Sequence, residues 1–449
     1  MSLESYVALN AERYPDRIAL VCGNERCTYA ELNHRIDERA ATLQSPLPHG
    51  GGVGGEALCL RATPAIDFIV RYFALHRAGH AVAPLERDMP EAVFEAVAKE
   101  LGRHPIPEGT ADVLYTTGTT GKSKGVMISH RTILADAENL IAGQGFSHDL
   151  TFVINGPLNH IGSLSKLYPV IMLGATAVIV DGIKDINAFF DAFNLHTRIE
   201  GIPARYATFL VPASIRILIQ LSADRMAALA DRMDFIETGA AAISQADMET
   251  LCRLLPHTRL YNTYASTETG IISTYNFNDG RCQAGCLGRP MPHSRLFITD
   301  NGTIACQGDT LMTGYIGDPE RTASILRDGT LYTSDLGRLD DEGMLHLAGR
   351  EDDVINVGGF KVAPTEVEDA AMAFPAVKDC ICIPVPHPIT GTALKLLVAL
   401  ADGYTLDKRA LALHLRDRLE PYKVPLLYEA VPTIHRTFNG KLNRKAYQA

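Results

Sequence analysis

The sequence predicts an α/β protein: a large N-terminal domain of mostly parallel sheets with helices, a small β-rich unit, and a small α+β module at the C-terminus. Three observations carry this. Between 126 and 350, short apolar runs alternate with helical stretches, as a helix-covered parallel sheet requires. From 285 to 348 the pattern changes to short strands separated by Gly, Asp and Asn turns. After a polar link at 349–353, the remaining residues make a block of small-domain size. The expected division of the 449 residues is 1–349, 350–353 and 354–449.

Residues 3–13 read as a helix, followed by Pro15-Asp16, an apolar run at 18–21 and a turn at Gly23-Asn24. Thr28 and Glu31 have capping-box spacing for a helix over 30–43. Residues 49–56 formally fit a dinucleotide pattern through Gly50, Gly52 and Gly55. Ser45-Pro46-Leu47-Pro48 precedes them in place of a strand, so they read as a flexible linker. Phe68, Ile69, Tyr72, Phe73 and His76 form a core stripe on a helix over 65–77. One helix at 90–101 and a Pro/Gly-rich link at 102–110 follow. Strands are expected at 151–154, 170–180, 234–238 and 258–261. Helices are expected at 131–142, 186–195, 204–210, 214–219 and 244–254.

Apolar residues at 46% and charged residues at 21% are ordinary for a globular protein with a sizeable core. A net charge of −10 argues against a nucleic-acid or anionic-membrane binder. The nine cysteines show no metal spacing and read as free thiols of a reducing compartment. Residues 1–14 are amphipathic and charged, unlike a signal peptide, and the longest apolar run, 170–180, is too short for a bilayer span. A cytoplasmic enzyme is expected.

The densest chemistry lies in 113–130. Val113, Leu114 and Tyr115 end a buried strand. Thr116, Thr117, Gly118, Thr119, Thr120, Gly121, Lys122, Ser123, Lys124 and Gly125 follow, before an apolar run from Val126. Glycines permit close backbone approach, and the hydroxyls and lysines suit a polyphosphate. The spacing is not that of a Walker A loop. A polar surface turn is the alternative reading. The stretch resembles the phosphate loop of the adenylate-forming superfamily: acyl- and aryl-CoA synthetases, peptide-synthetase adenylation domains and luciferases. Thr117 and Ser123 replace the usual Ser and Pro.

Further segments resemble that family. In the stretch from Tyr261 to Gly270, the resemblance implies that Tyr264 stacks on adenine, Thr267 contacts the α-phosphate and Glu268 holds magnesium; Ala265 replaces a Gly. Gly239 and Ala240, in a small-residue turn, would line the adenine and acyl pockets, although a tight strand–helix turn explains their composition equally well. Asp335, with Ser334 replacing a Gly, would hold the ribose hydroxyls with Arg350, and Asp352 marks the hinge of a mobile small domain. Gly358, Gly359 and Lys361 resemble the loop that meets the CoA thiol. Lys441, in Asn439-Gly440-Lys441, matches the adenylation lysine. His160, with Asn159 replacing a Phe, matches the His of acyl- and aryl-CoA synthetases. No Asp lies between Gly156 and Ser165 to pair an amino acid's ammonium. The first subdomain departs from the family and looks trimmed at 86–110.

The resemblance implies a two-step ligase. It uses ATP, magnesium and CoA to activate a carboxylic acid as its adenylate and transfer it to a thiol. CoA is the expected acceptor, because no carrier domain follows Lys441, and a separate carrier protein is the second choice. The acid is expected to be short- to medium-chain or aromatic, with Ile202, Pro203, Ala204, Arg205, Ala240 and His160 as pocket candidates. A nucleotide-binding interaction protein without turnover is the alternative of another class.

Overall fold

The structure, a computed structural model, describes residues 2–43, 56–116, 124–194, 205–358, 360–388, 390–436 and 442–447, without the side chains of Asp352 and Lys445. The glycine-rich linker at 49–55 and the pocket candidates Ile202, Pro203 and Ala204 therefore lie outside the described residues. The chain opens as its local signals dictate. The Thr28 N–H donates to Glu31 Oε2 at 2.9 Å, and the Glu31 N–H donates to Thr28 Oγ1 at 3.2 Å, closing the capping box of the helix Tyr29–Leu43.

Two sheets make the large part. In the smaller, Ala57–Ala62, Ala81–Glu86 and Thr110–Thr116 run parallel, Lys124–Ser129 returns antiparallel, and Gly314–Tyr315 forms the edge. The larger has a parallel centre in the order Thr176–Ile179, Leu150–Ile154, Arg205–Phe209, Met233–Thr238, Arg259–Ser266. Beyond it the chain turns antiparallel through Gly270–Asn276 and Cys286–Pro290 into Leu345–Arg350, Thr330–Leu339, Thr303–Gly308 and Ser294–Ile298. The β-rich unit thus continues the main sheet. Phe152 and Phe235 are fully buried in the core, each contributing roughly 1.5–3 kcal/mol.

The C-terminal module has its own core, including Val362, Val367, Leu396, Leu411 and Leu415. It contains the sheet Val377–His387, Gly391–Leu400 and Leu427–Ala430, the helices Pro364–Met372 and Lys408–Arg416, and the hairpin Ile355–Val357 with Phe360–Val362. Among the described residues no helix is long and apolar enough to cross a membrane.

Three expectations are corrected. Residues 204–210 were expected as a helix, but Arg205–Phe209 is a central parallel strand with Tyr206, Ala207 and Thr208 buried. A strand buried on both faces loses its alternation and mimics a short helical run. The 170–180 run was expected as one strand. It divides at Gly174 (φ 68°), which ends the helix Leu167–Leu173 before the strand Thr176–Ile179. The 349–353 link is structured: Gly349 and Arg350 finish a strand and Glu351–Asp353 form a 3-10 turn.

Candidate active site

The segment at 113–130 is a β-hairpin in which Thr116 faces Lys124 across the mouth. Thr117, Gly118, Thr119, Thr120 and Gly121 lie outside the described residues. A Cβ on Gly125 would come within 2.5 Å of Ile316 and 2.9 Å of Val113, so glycine is what lets the edge strand pair here. The Lys124 ammonium lies 5.6 Å from the Tyr315 ring centre and the Arg321 guanidinium 5.5 Å from it. Burial and then Arg321 push the Lys124 pKa down, with Arg350 adding to them and Glu268 and Asp318 opposing. Lys124 therefore feels two further cations, Arg321 and Arg350, as well as the Glu268 carboxylate, an electropositive setting suited to phosphates.

Glu268 sits in the turn between Arg259–Ser266 and Gly270–Asn276. The Ser266 N–H donates to the Thr269 hydroxyl and the Thr269 N–H to the Ser266 hydroxyl, each at 3.0 Å, which locks the turn and leaves Thr267 and Glu268 at its tip. Gly270 has φ 68°, and a Cβ there would lie 2.4 Å from the Thr310 carbonyl oxygen. From beneath, Asp136 Oδ1 accepts from the Ile271 N–H at 2.8 Å, and desolvation pushes the Asp136 pKa up to about 8. From the side, the Tyr315 hydroxyl donates to Glu268 Oε1 at 2.9 Å. Burial and the Glu268 carboxylate raise the Tyr315 pKa, so the hydroxyl stays a donor. A half-buried carboxylate beside a cationic cradle fits magnesium, which takes one or two carboxylates and completes its shell with phosphates and water.

The Tyr264 hydroxyl donates to Asp335 Oδ2 at 2.7 Å, and Asp335 Oδ1 lies 3.5 Å from Arg350 Nε. Asp335 and Arg350 are cross-strand partners on Thr330–Leu339 and Leu345–Arg350, so sheet register alone brings them together. Tyr264 is 7% exposed and belongs to the main core.

Gly239 follows Met233–Thr238, and Ala240 is held at φ 66°, a left-handed conformation uncommon for a residue with a Cβ. His160 precedes the short helix Ile161–Leu164 and is half-buried. Phe209 joins the two places: a Cβ on Gly162 would lie 3.4 Å from its ring, and one on Gly239 would lie 3.7 Å from it. Behind the ring, Lys166 Nζ is 5.3 Å from its centre and 2.7 Å from Glu237 Oε2, with both charged side chains 1% exposed. Arg205 is not a helix arginine; it pairs with Asp234 at 2.6 Å from the strand.

Lys441 and Gly359 lie outside the described residues, as does the Asp352 side chain. Gly358 (φ 58°) and the exposed Lys361 sit on the small hairpin. The chain on either side of 437–441 is anchored by an Arg436–Leu442 bridge, by Arg436 on Asp379 at 2.6 Å, and by Arg444 on Glu368 at 2.7 and 2.8 Å. Arg444 also reaches Asp353 at 3.3 Å.

Sequence reading missed Tyr315, Phe209 and the Lys166–Glu237 pair. Gly314–Tyr315 is a two-residue strand, too short for periodicity to register. The distant partners of the others become neighbours only through sheet order.

A parallel-sheet body carrying a Thr/Gly hairpin, a Thr-Glu turn and an Asp–Arg strand pair, with a small α+β module after it, is the architecture of adenylate-forming enzymes. The chain belongs to the AMP-binding enzyme family: the family model matches residues 7–104 and 94–316, and that of the AMP-binding enzyme C-terminal domain matches 366–441. It is 28% identical to a feruloyl-CoA synthase of Amycolatopsis over 491 aligned positions, covering 98% of this chain and 97% of the relative. It is 30% identical to an indoleacetate–CoA ligase of Aromatoleum aromaticum, covering 79% of this chain and 70% of the relative. The fold superposes on ATP-bound MatB from Rhodopseudomonas palustris with a TM-score of 0.85 at 22% identity, covering 100% and 98% of the two chains.

Proposed function

We propose that this protein is an AMP-forming acid–thiol ligase that activates an aromatic carboxylic acid and transfers it to CoA. The observation that carries the reading is the Tyr264–Asp335–Arg350 chain, at 2.7 and 3.5 Å, which unites three separate motif segments in one candidate nucleoside site. The feruloyl-CoA and indoleacetate relatives, and a Phe209 ring flanked by Gly162 and Gly239, favour a planar acyl group.

In the first step the substrate carboxylate attacks the α-phosphorus of ATP and pyrophosphate leaves. Charge accumulates on the phosphoryl oxygens, so positioning and positive charge matter more than acid–base chemistry. In this reading Lys124 and the hairpin loop hold the phosphates, Thr267 contacts the α-phosphate, Asp335 and Arg350 hold the ribose, and Lys441 supplies a removable cation. Magnesium on Glu268 would neutralise phosphate charge when bound. His160 and Gly239 border the acyl group. The small module then turns about Asp352, withdrawing Lys441 and bringing Gly358, Gly359 and Lys361 forward. The CoA thiol attacks the acyl carbonyl and AMP leaves.

The family model matches in two pieces, 7–104 and 94–316, that meet and overlap at 94–104, which supports a shortened first subdomain around 86–110. Nine free cysteines support a cytoplasmic setting. ATP–pyrophosphate exchange over a panel of carboxylic acids, followed by CoA-dependent AMP release, tests the assignment. Exchange is expected with aromatic acids. ATP binding without exchange for any acid would instead identify a nucleotide-binding interaction protein, and transfer only to a carrier protein would replace CoA as acceptor.

A further inference from the structure

Away from the nucleotide site, three helices bring together Glu4, in the first turn of Leu3–Arg13, His76, in the last turn of Ile66–Arg77, and His130, which opens His130–Gln144. One possible ligand atom from each lies within 4.8 Å of the other two. The sequence reads His76 as part of a core stripe, but its surroundings are those of an oriented ligand. Its Nε2 faces two acceptors, the Ala111 carbonyl oxygen and Asp112 Oδ1, both at 3.1 Å, so this nitrogen carries the proton and Nδ1 presents a lone pair. Asp112 is itself fixed by the Tyr72 hydroxyl at 2.8 Å and is fully buried, which completes a carboxylate–histidine pair of the kind that backs metal ligands.

Within this cluster, His76 Nδ1, His130 Nδ1 and Glu4 Oε2 have no hydrogen-bond partner among the described residues. His76 is 4% exposed and Glu4 8%. Buried acceptors gathered with no donor among the described residues suit a cation. The ring geometry fits an ion. Two imidazoles bound tetrahedrally, with nitrogens about 2.0–2.1 Å from the metal, have centroids about 5 Å apart. His76 and His130 are 5.1 Å apart, with ring planes at 77°. A surface cleft lined by Glu4, Ser5, Ala8, Asn33, Asp37 and Arg77 reaches Glu4 from solvent.

We propose that Glu4, His76 and His130 bind one divalent transition-metal ion, zinc by ligand chemistry, with water in the fourth position. Two imidazoles select against magnesium and calcium, which take oxygen ligands. The role is structural: the ion staples the N-terminal helix to the helices on either side of the hairpin that carries the phosphate loop. Asp112 stands on one hairpin strand and His130 directly follows the other.

The test uses the untagged full chain, stripped by chelator and then titrated with Zn(II) or Co(II). Expected are about one equivalent of zinc retained after desalting, visible ligand-field bands with cobalt, and a Tm that rises on reloading. Glu4→Gln and His130→Gln should each weaken binding about tenfold or more. Both positions lie outside the nucleotide site. No retained metal and no cobalt bands in the unmodified chain would overturn the proposal. So would unchanged stoichiometry in both variants, or thiolate-to-cobalt bands, which would assign the metal to cysteine.

Discussion

Glu268 and Arg444 are both charged groups gripped by partners from distant segments, yet the grip serves different ends. Glu268 is held at its carboxylate by Tyr315 and through its backbone oxygen by the Met312 N–H at 2.9 Å, so the gripped group itself faces the candidate ligand. Arg444 is held by Glu368 and Asp353 three residues beyond Lys441, so the gripped group anchors the chain next to another candidate residue. One region preorganises its charges in place. The other secures the chain beside Lys441, whose charge, in the proposed reaction, would be delivered and withdrawn with the whole module. A static cradle and a delivered cation are two halves of one proposed reaction.

The contrast breaks most sharply at Lys441. Lys441→Ala should reduce adenylate formation by roughly 10²–10³-fold while leaving thiolation of a supplied acyl-adenylate largely intact. Equal loss in both half-reactions would show that the lysine is not delivered for one step only. Arg444→Met should destabilise the C-terminal module by about 3–5 kcal/mol, because it strands the buried Glu368 carboxylate. Denaturant unfolding should place the loss in the module, with ATP affinity of the large part unchanged.

Asp136 tests the other half. Its folded pKa, about 8, lies above the usual 3.8, so the folded state holds a proton that the unfolded state has released. The stability from this group is complete below about pH 4 and is lost as pH rises toward 8, by up to about 1.4 kcal/mol per pH unit. Asp136→Asn should flatten that slope and raise Tm at pH 8; an unchanged Tm–pH profile would show that the carboxylate is not held protonated. The smallest effect is expected for Tyr315→Phe. Losing the hydroxyl on Glu268 should cost about 1 kcal/mol, read as a roughly fivefold rise in KM for ATP in pyrophosphate exchange.

Local signals in the sequence were legible where chemistry is local. The Thr28–Glu31 box needs only adjacent residues, and the hairpin at 113–130 announces itself by its apolar flanks and polar turn. Arg205–Phe209 was misread because burial on both faces erases the alternation that marks a strand. Asp335 and Arg350 were matched as partners at the ribose by motif resemblance, but their standing directly opposite each other on two strands is a matter of register that composition does not encode. Phe209 and Tyr315 carry no motif of their own. Their places depend on which strands lie side by side, and that is decided by the packing of the whole sheet.

The short strand at Gly314–Tyr315 has a mechanical consequence. Its neighbours Thr313 and Ile316 donate main-chain N–H groups to Met127 and Gly125 at 2.9 Å, while the Tyr315 hydroxyl reaches Glu268. The root of the hairpin loop and the acidic turn are therefore tied by one continuous strut. The Met312 N–H on the Glu268 carbonyl oxygen continues the strut in main chain, so the spacing between the hairpin root and the acidic turn does not depend on the Tyr315 side chain alone.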